Sequence, residues 1–257
     1  MLALAVVGLF ALQVAPPQVG QDQGQQKSKS SSNESSSTTS SETWPDRLAK
    51  QKVKAFEKAV KPKKVSMADR KRALGELKGG ISRHLIKPLQ RFIEKDSSIV
   101  LKREAVAMLA LQEDKPAKKA VVKLLGNARV TGNPQVQAAL IRALGEVGYT
   151  AKDWKIIDDV FESDYDNERI PVHEAILELV RDHKEKQAVK LLLNNMDEPN
   201  AANVDAADNP PREYWKARWH AWTAWKSKVK EAMKAITGQD FASAPEARAW
   251  LKKNRLK

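Results

Sequence analysis

The sequence predicts an all-α protein, organised as an α-solenoid in which helix pairs stack in layers. Apolar residues recur four positions apart in four helical segments, and the second residue of each couple steps along the chain by 32, 35 and 35 residues. The couples are Ala73/Leu77, Ala105/Leu109, Leu140/Leu144 and Ala175/Leu179. Two antiparallel helices with their turns use about 30–40 residues, so one repeat corresponds to one layer. No segment shows the alternation and hairpin signals of a β-strand.

Capping residues mark the starts of several predicted helices. Ser66 with Asp69, and Thr150 with Asp153, have the spacing of a capping box, while Asn133 precedes Pro134 in the way an N-cap precedes a first-turn proline. The segment 46–61 shows a helical period, with Leu48, Phe56, Ala59 and Val60 on one face and lysines on the rest, so we expect a basic helix that caps the stack.

The chain divides into segments of different composition. Residues 2–12 form an apolar run of the length found in signal peptides, too short to span a bilayer. A buried helix or a membrane-associating tail is the alternative for this run. Residues 21–43 contain no apolar side chain and are expected to be disordered. The predicted segments are 1–20 signal peptide, 21–44 disordered Ser-rich linker, 45–65 basic capping helix, 66–196 repeats, 197–211 polar loop and 212–257 C-terminal helical cap. We therefore expect an extracytoplasmic protein, periplasmic or secreted.

Tryptophans are concentrated near the C-terminus. Trp215, Trp219, Trp222 and Trp225 follow one another at spacings of four, three and three, which places them on one face of a helix. Such a row is typical of a packed terminal core, with Trp215 expected to be the most exposed because it begins the helix. The alternative is a binding site in which Trp215 and Arg218 stack on sugars or bases.

The charge distribution favours a polyanionic partner. The residue types and motifs that are missing from the sequence predict no catalytic chemistry. The chain has a net charge of +13, and residues 115–130 contain five basic and no acidic side chains. Lys118, Lys119, Lys123 and Arg129 are the candidate anion-binding residues. The chain has no Cys, its four His lack metal-ligand spacing, and no nucleotide-binding or nucleophile motif occurs. We therefore predict no catalytic residue, no metal and no cofactor.

Residues 66–196 resemble HEAT repeats. The residues that carry the resemblance are the first-helix segments ADRKRALGELKG, KREAVAMLAL, VQAALIRALGEVG and VHEAILELVRDH. The C-terminal stretch AMKAITGQDFASAPEARAWLKKN is similar to the end of secreted bacterial HEAT-repeat proteins, at Thr237, Gly238, Phe241 and Trp250. The resemblance implies a non-enzymatic scaffold that binds a protein or a polyanionic polymer. Two alternatives stay open: a nucleic-acid-binding module, including one that acts on DNA bases, and a membrane-surface adaptor that uses residues 46–61.

Overall fold

The computed structural model describes residues 41–61, 64–112, 115–163, 165–200, 209–254 and 256. These residues are mostly helical, which confirms the predicted all-α class. They belong to one structural unit, Thr39–Lys257. The predicted signal peptide at 1–20, the linker as far as residue 40, and residues 201–208 of the polar loop lie outside the described residues.

The elements follow one another in a simple order. The α-helices are α1 (Asp46–Val60), α2 (Met67–Gly75), α3 (Arg83–Lys95), α4 (Ile99–Ala110), α5 (Lys115–Leu125), α6 (Ala128–Thr131), α7 (Pro134–Glu146), α8 (Ile170–His183), α9 (Val189–Asn195), α10 (Arg212–Thr237) and α11 (Ala244–Lys253). Short 3-10 helices span Ala151–Ile156, Asn167–Arg169 and Lys186–Ala188. Two short strands, β1 (Glu42–Thr43) and β2 (Gly80–Ile81), pair in parallel.

Helices pack mainly against helices that are close in sequence. α4, α7, α8 and α10 each contact the next, while α3 packs between α1 and α5. All eight residues of the predicted apolar couples are buried in one continuous core, which confirms their inward orientation. Burial of such side chains contributes about 1.5–3 kcal/mol for each large aliphatic residue, so the couples supply much of the stabilisation between neighbouring helices.

The predicted caps form, but one of the helices they begin is not an α-helix. The Ser66 hydroxyl accepts from the Asp69 N–H at 3.1 Å, and Asn133 accepts from the Val136 N–H at 3.1 Å. Thr150 and Asp153 form a capping box, yet the segment continues as a 3-10 helix, Ala151–Ile156, followed by turns. The residues after Trp154 include Ile, Asp and Val, whose helix propensity is low, so the tighter turns prevail there.

The folded region begins within the predicted linker 21–44, at strand β1. The N–H of Glu42 donates to the carbonyl of Gly79 at 2.8 Å, and the N–H of Trp44 donates to the carbonyl of Ile81 at 3.0 Å. The expectation that no strand occurs is wrong at these positions. Two-residue strands carry no periodic pattern, and their pairing depends on distant residues, so the sequence offers no local signal for them.

Helix α1 presents part of its predicted face to the core, since Phe56 is buried and Val60 packs against the core as predicted. Ala49 and Phe56 are buried, whereas Leu48 is 38% exposed and Ala59 is exposed. Phe56 packs against Phe92 of α3, with ring centroids 5.5 Å apart. Leu48 therefore contributes little to the attachment of α1, which depends on Phe56.

Helix α10 is one continuous helix of 26 residues that contains all four tryptophans of the predicted row. Only Trp225 of the row is fully buried, because the core-facing stripe runs through Ala221, Trp225, Val229 and Met233. Trp219 lies about 100° from the centre of this stripe, at 100° per residue. It is 45% exposed, more than the half-buried Trp215, and its indole N–H donates to Glu198.

We expect Gly80→Ala to lower the free energy of unfolding by about 1–3 kcal/mol, because a Cβ at this position would lie 2.6 Å from the Trp44 ring. Gly75→Ala is the matched control. Nothing lies within 4 Å of a Cβ at Gly75, the last residue of α2, so the same change should leave stability unchanged or raise it by up to about 1 kcal/mol. Denaturant unfolding of both variants measures the effects, and equal effects would contradict the packing of Trp44 on Gly80.

Candidate functional site

Helix α5 carries a row of exposed lysines on the face opposite the core. Its buried residues are Ala117, Ala120, Val121 and Leu124. Lys115, Lys119 and Lys123 are exposed and four positions apart, so their Cα atoms follow one another at about 6 Å along the helix. None of these three lysines has an ion-pair partner among the described residues.

Lys118, a predicted anion-binding residue, is engaged within the protein. Its Nζ lies 2.6 Å from the carboxylate of Asp153 and donates to the carbonyl of Gly148 at 2.9 Å. Burial raises the pKa of Asp153, but hydrogen bonds from Lys118 and Thr150 outweigh burial and leave this pKa below its ordinary value. Lys118 therefore ties α5 to the segment after α7, and the prediction that it faces a ligand needs this correction.

Arg129 lies on the short helix α6, which follows α5. Its backbone N–H is capped by the Asn127 side chain at 3.1 Å, and its guanidinium is exposed without an ion-pair partner in the described part of the chain. Lys119, Lys123 and Arg129 thus remain as exposed cations close together in sequence. Lys115 joins them from the start of α5.

Two further basic rows lie on α1, which the sequence predicts to be a basic helix, and on α3, for which no basic row is predicted. Both repeat the four-residue spacing of α5 and are exposed. They comprise Lys50, Lys54 and Lys58 on α1, and Arg83, Lys87, Arg91 and Lys95 on α3. The signal was present in the sequence as basic residues at a period of four, but only the structure reveals that α3 packs between α1 and α5. The exposed faces of these three helices are called the basic surface below.

Ion pairs align α1 beside α3 along the basic surface. Arg83 lies 3.0 Å from Asp46 at the start of both helices, and Arg91 lies 3.5 Å from Glu57 further along. Helices α1 and α3 therefore run in the same direction. These pairs engage two of the arginines, Arg83 and Arg91. Lysines therefore make up most of the exposed cations of this surface that lack an ion pair within the described residues.

The whole net charge of the chain originates in the part that contains this surface. Residues 41–130 contain 23 Lys and Arg against 10 Asp and Glu, a net charge of +13, and this equals the net charge of the entire chain. The remaining residues therefore sum to zero. This segregation concentrates the positive potential on α1, α3, α5 and their neighbours, where it attracts anions most strongly.

Trp215 and Arg218, the other predicted site residues, belong to a separate site. The Arg218 guanidinium lies over the ring of Tyr165 at 5.2 Å and over the ring of Trp215 at 5.7 Å. Tyr214 makes edge-to-face contacts with both rings, at 5.8 Å and 5.3 Å between centroids. Burial raises the pKa of Tyr165 to about 12, although the charge of Arg218 acts in the opposite direction.

These side chains line a cavity of about 510 Å³ between the start of α10, the segment after α9, and α11. Its lining includes Tyr165, Asn194, Tyr214, Trp215, Arg218 and Arg248. None of Lys118, Lys119, Lys123 and Arg129 lines this cavity. The structure therefore divides the predicted site residues into two groups, one on the basic surface and one at this aromatic pocket.

No group of three or more His, Cys, Asp or Glu side chains among the described residues is arranged to hold a metal ion. None of the helices in the described ranges is both long enough and apolar enough to cross a membrane.

Comparison with known proteins yielded no match to a protein-family model, to a curated protein or to a solved structure.

We expect Lys118→Ala to lower the free energy of unfolding by about 1–3 kcal/mol at pH 7, because it leaves the mostly buried Asp153 carboxylate without its cation. Lys119→Ala, next in sequence and exposed, should change it by less than about 0.5 kcal/mol. Denaturant unfolding of both variants measures these two changes in the free energy of unfolding.

The cost of Lys118→Ala should depend on pH. The pKa of Asp153 is lower in the folded state than in the unfolded state. The charged carboxylate therefore stabilises the folded state fully above the unfolded-state pKa of about 3.9, and this stabilisation is lost as pH falls through the folded-state pKa. The difference in the free energy of unfolding between Lys118→Ala and the unchanged chain should therefore be smaller at pH 3 than at pH 7. A difference that stays constant between pH 7 and pH 3 would show that the Lys118–Asp153 charge pair is not its source.

Proposed function

We propose that this chain is a non-enzymatic binding module made of HEAT-like helix pairs, and that its basic surface binds a linear polyanion. One observation carries the proposal: rows of exposed lysines and arginines, four residues apart, cover three neighbouring helices in the part of the chain that contains all of the net charge.

The spacing of bonds between layers supports the HEAT-like arrangement. Arg142 pairs with Glu178, Tyr149 donates to Glu185, and Gln187 donates to the carbonyl of Ala151, and each bond joins residues 36 positions apart. This separation is close to the repeat of 35 residues between the apolar couples. Equivalent positions of successive layers are in contact in a stack of helix pairs, so both values are expected from it.

The arrangement of the lysines suits a polymer with many charges. Neighbouring helix axes are about 8–10 Å apart and residues four apart are about 6 Å apart, so the lysines form a grid of positive charges. A single exposed ion pair contributes only about 0–1 kcal/mol. A polyanion contacts several lysines at once and releases its counterions. The total binding free energy of these contacts is therefore substantial at low salt.

A linear polymer fits this surface better than a membrane does. Peripheral membrane helices combine basic residues with large apolar side chains that enter the lipid. Among the described residues of α1, α3 and α5, Leu48 is the large apolar residue that is exposed. The basic surface therefore depends on charge, and charge alone supports binding to a polymer in solution.

The proposal includes export from the cytoplasm, which is supported by the apolar run at 2–12 and the Ser-rich segment after it. Cell fractionation with an antibody to the folded region tests this part. Recovery of the chain in the cytoplasmic fraction alone would contradict export, but would leave the polyanion proposal unaffected.

Neutralising the α5 row tests the binding proposal. We expect the triple variant Lys115→Gln, Lys119→Gln, Lys123→Gln to bind a fluorescent oligodeoxythymidylate about 10- to 100-fold more weakly at low salt. The slope of log K against log salt should also become less steep by about 2, since each contact with a single strand contributes about 0.7. Fluorescence anisotropy at several salt concentrations measures both quantities.

A second triple variant provides the matched control. Lys155, Lys186 and Lys190 are exposed, have no ion pair within the described residues and lie outside the basic surface. Changing them to Gln alters the net charge equally, so binding should weaken by less than about threefold. Equal losses in both variants, or no binding by the unchanged chain, would refute the basic surface as the site. Binding only to phosphatidylserine vesicles would favour the membrane alternative instead.

A further inference from the structure

The aromatic pocket beside Trp215 is preformed. Tyr165, which is 3% exposed, packs against the buried His173 with ring centroids 5.6 Å apart. Tyr214 and Trp215 stand edge to face against one another, and Arg218 covers the rings of Tyr165 and Trp215. Aromatic side chains held on several sides lose little rotational freedom when a ligand arrives, so this wall is ready to bind.

The polar side chains of the pocket fall into two groups. Asp197 and Glu198 are fixed by internal bonds, since Asp197 accepts from the Ala244 N–H at 2.9 Å and Glu198 accepts from the Trp219 indole. Arg218, Arg248 and Asn194 line the cavity without a hydrogen bond or ion pair to another described residue. Guanidinium groups supply donors, and amides supply both donors and acceptors. The pocket thus offers unused hydrogen-bonding groups of both kinds.

The chemistry of the lining excludes several classes of ligand. An organic cation would be repelled by the guanidinium groups of Arg218 and Arg248, which line the cavity. An oxyanion would be attracted by Arg218 and Arg248, but the carboxylates of Glu162, Asp197 and Glu198 outnumber these two cations in the same cavity. An apolar ligand would leave these carboxylates and the arginines without water or partners.

A neutral saccharide meets all of these constraints. Its hydroxyl groups both donate and accept hydrogen bonds, so they can bond to arginine, amide and carboxylate groups together. The C–H groups on one side of a pyranose ring form an apolar face that packs on an aromatic side chain. A cavity of about 510 Å³ lies within the range of small-molecule sites and has room for more than one such ring.

We propose that the pocket formed by Tyr214, Trp215 and Arg218 binds a pyranose unit of a neutral oligosaccharide. The ring packs on Trp215, and Arg218, held by its stacking on two aromatic rings, donates to the sugar hydroxyls. Asn194 and Arg248 bond to the outer hydroxyls. This site is independent of the basic surface, so a chain with either site inactivated retains the other.

Indole NMR signals of the full-length chain test the proposal. The chain has seven Trp, and the signal of Trp215 is identified by its disappearance in Trp215→Phe. The probes are three neutral trisaccharides, cellotriose, maltotriose and N,N′,N″-triacetylchitotriose, with trigalacturonate and choline as charged comparisons. We expect at least one neutral trisaccharide to shift the Trp215 signal most strongly, with a Kd below about 10 mM, and neither charged probe to do so.

Two variants separate a direct contact from a general effect on α10. Arg218→Met keeps a long side chain but removes the donors, and should weaken binding by at least about fivefold. Trp222→Phe is the matched control, because Trp222 is half-buried on the same helix, lies beside Lys226 at 4.8 Å and does not line the cavity. Its affinity for the trisaccharide should equal that of the unchanged chain.

Three outcomes would overturn the proposal. They are the absence of any shift with the neutral trisaccharides, an unchanged affinity in Arg218→Met, and a shift of Trp215 with trigalacturonate or choline only. The variant in which Lys115, Lys119 and Lys123 are changed to Gln should bind the trisaccharide normally. Failure of the saccharide site is therefore distinguishable from failure of the polyanion site.

Discussion

A short helix cannot bury its apolar stripe alone, and this constraint governs the structure. Each of the helices α4, α7, α8 and α10 places its buried residues against the next helix of the series, and the side chains form one continuous core. Three of the apolar couples four residues apart belong to α4, α7 and α8, and all of their residues are buried. Stability is therefore distributed along the chain, and each helix depends on its immediate neighbours.

The same constraint determines which residues are free to bind. Side chains that face a neighbouring segment are engaged in packing or in ion pairs, as Lys118 is with Asp153 and Arg142 is with Glu178. Burial raises the pKa of Glu178, and bonds from Arg142 and Lys228 more than offset it, so the pKa is lowered and this carboxylate bridges three helices in its charged form. The residues left over are those on the outward faces, and on α1, α3 and α5 these are predominantly lysines.

The C-terminal region packs in a different way from the helices before it. Helix α10 is long enough to pack on both α8 and α9, and its single fully buried tryptophan, Trp225, contacts Phe161 at 5.2 Å between centroids. The other tryptophans of the row lie towards the edge of this contact. Trp215 alone of these lines the cavity, where it forms the aromatic wall beside Arg218 together with Tyr165 and Tyr214.

The sequence by itself determined the helical class, the buried couples, and the caps at Ser66, Asn133 and Thr150, because periodicity and capping depend on residues that are close together along the chain. It also identified Lys119, Lys123 and Arg129 as a basic cluster. Only the tertiary structure decided that Lys118 pairs with Asp153, that β1 pairs with β2, and that the rows of α1 and α3 lie beside that of α5. It likewise decided which tryptophan of the row on α10 is buried. These outcomes depend on contacts between residues far apart in sequence and on the rotation of each helix about its axis, and no local pattern encodes either.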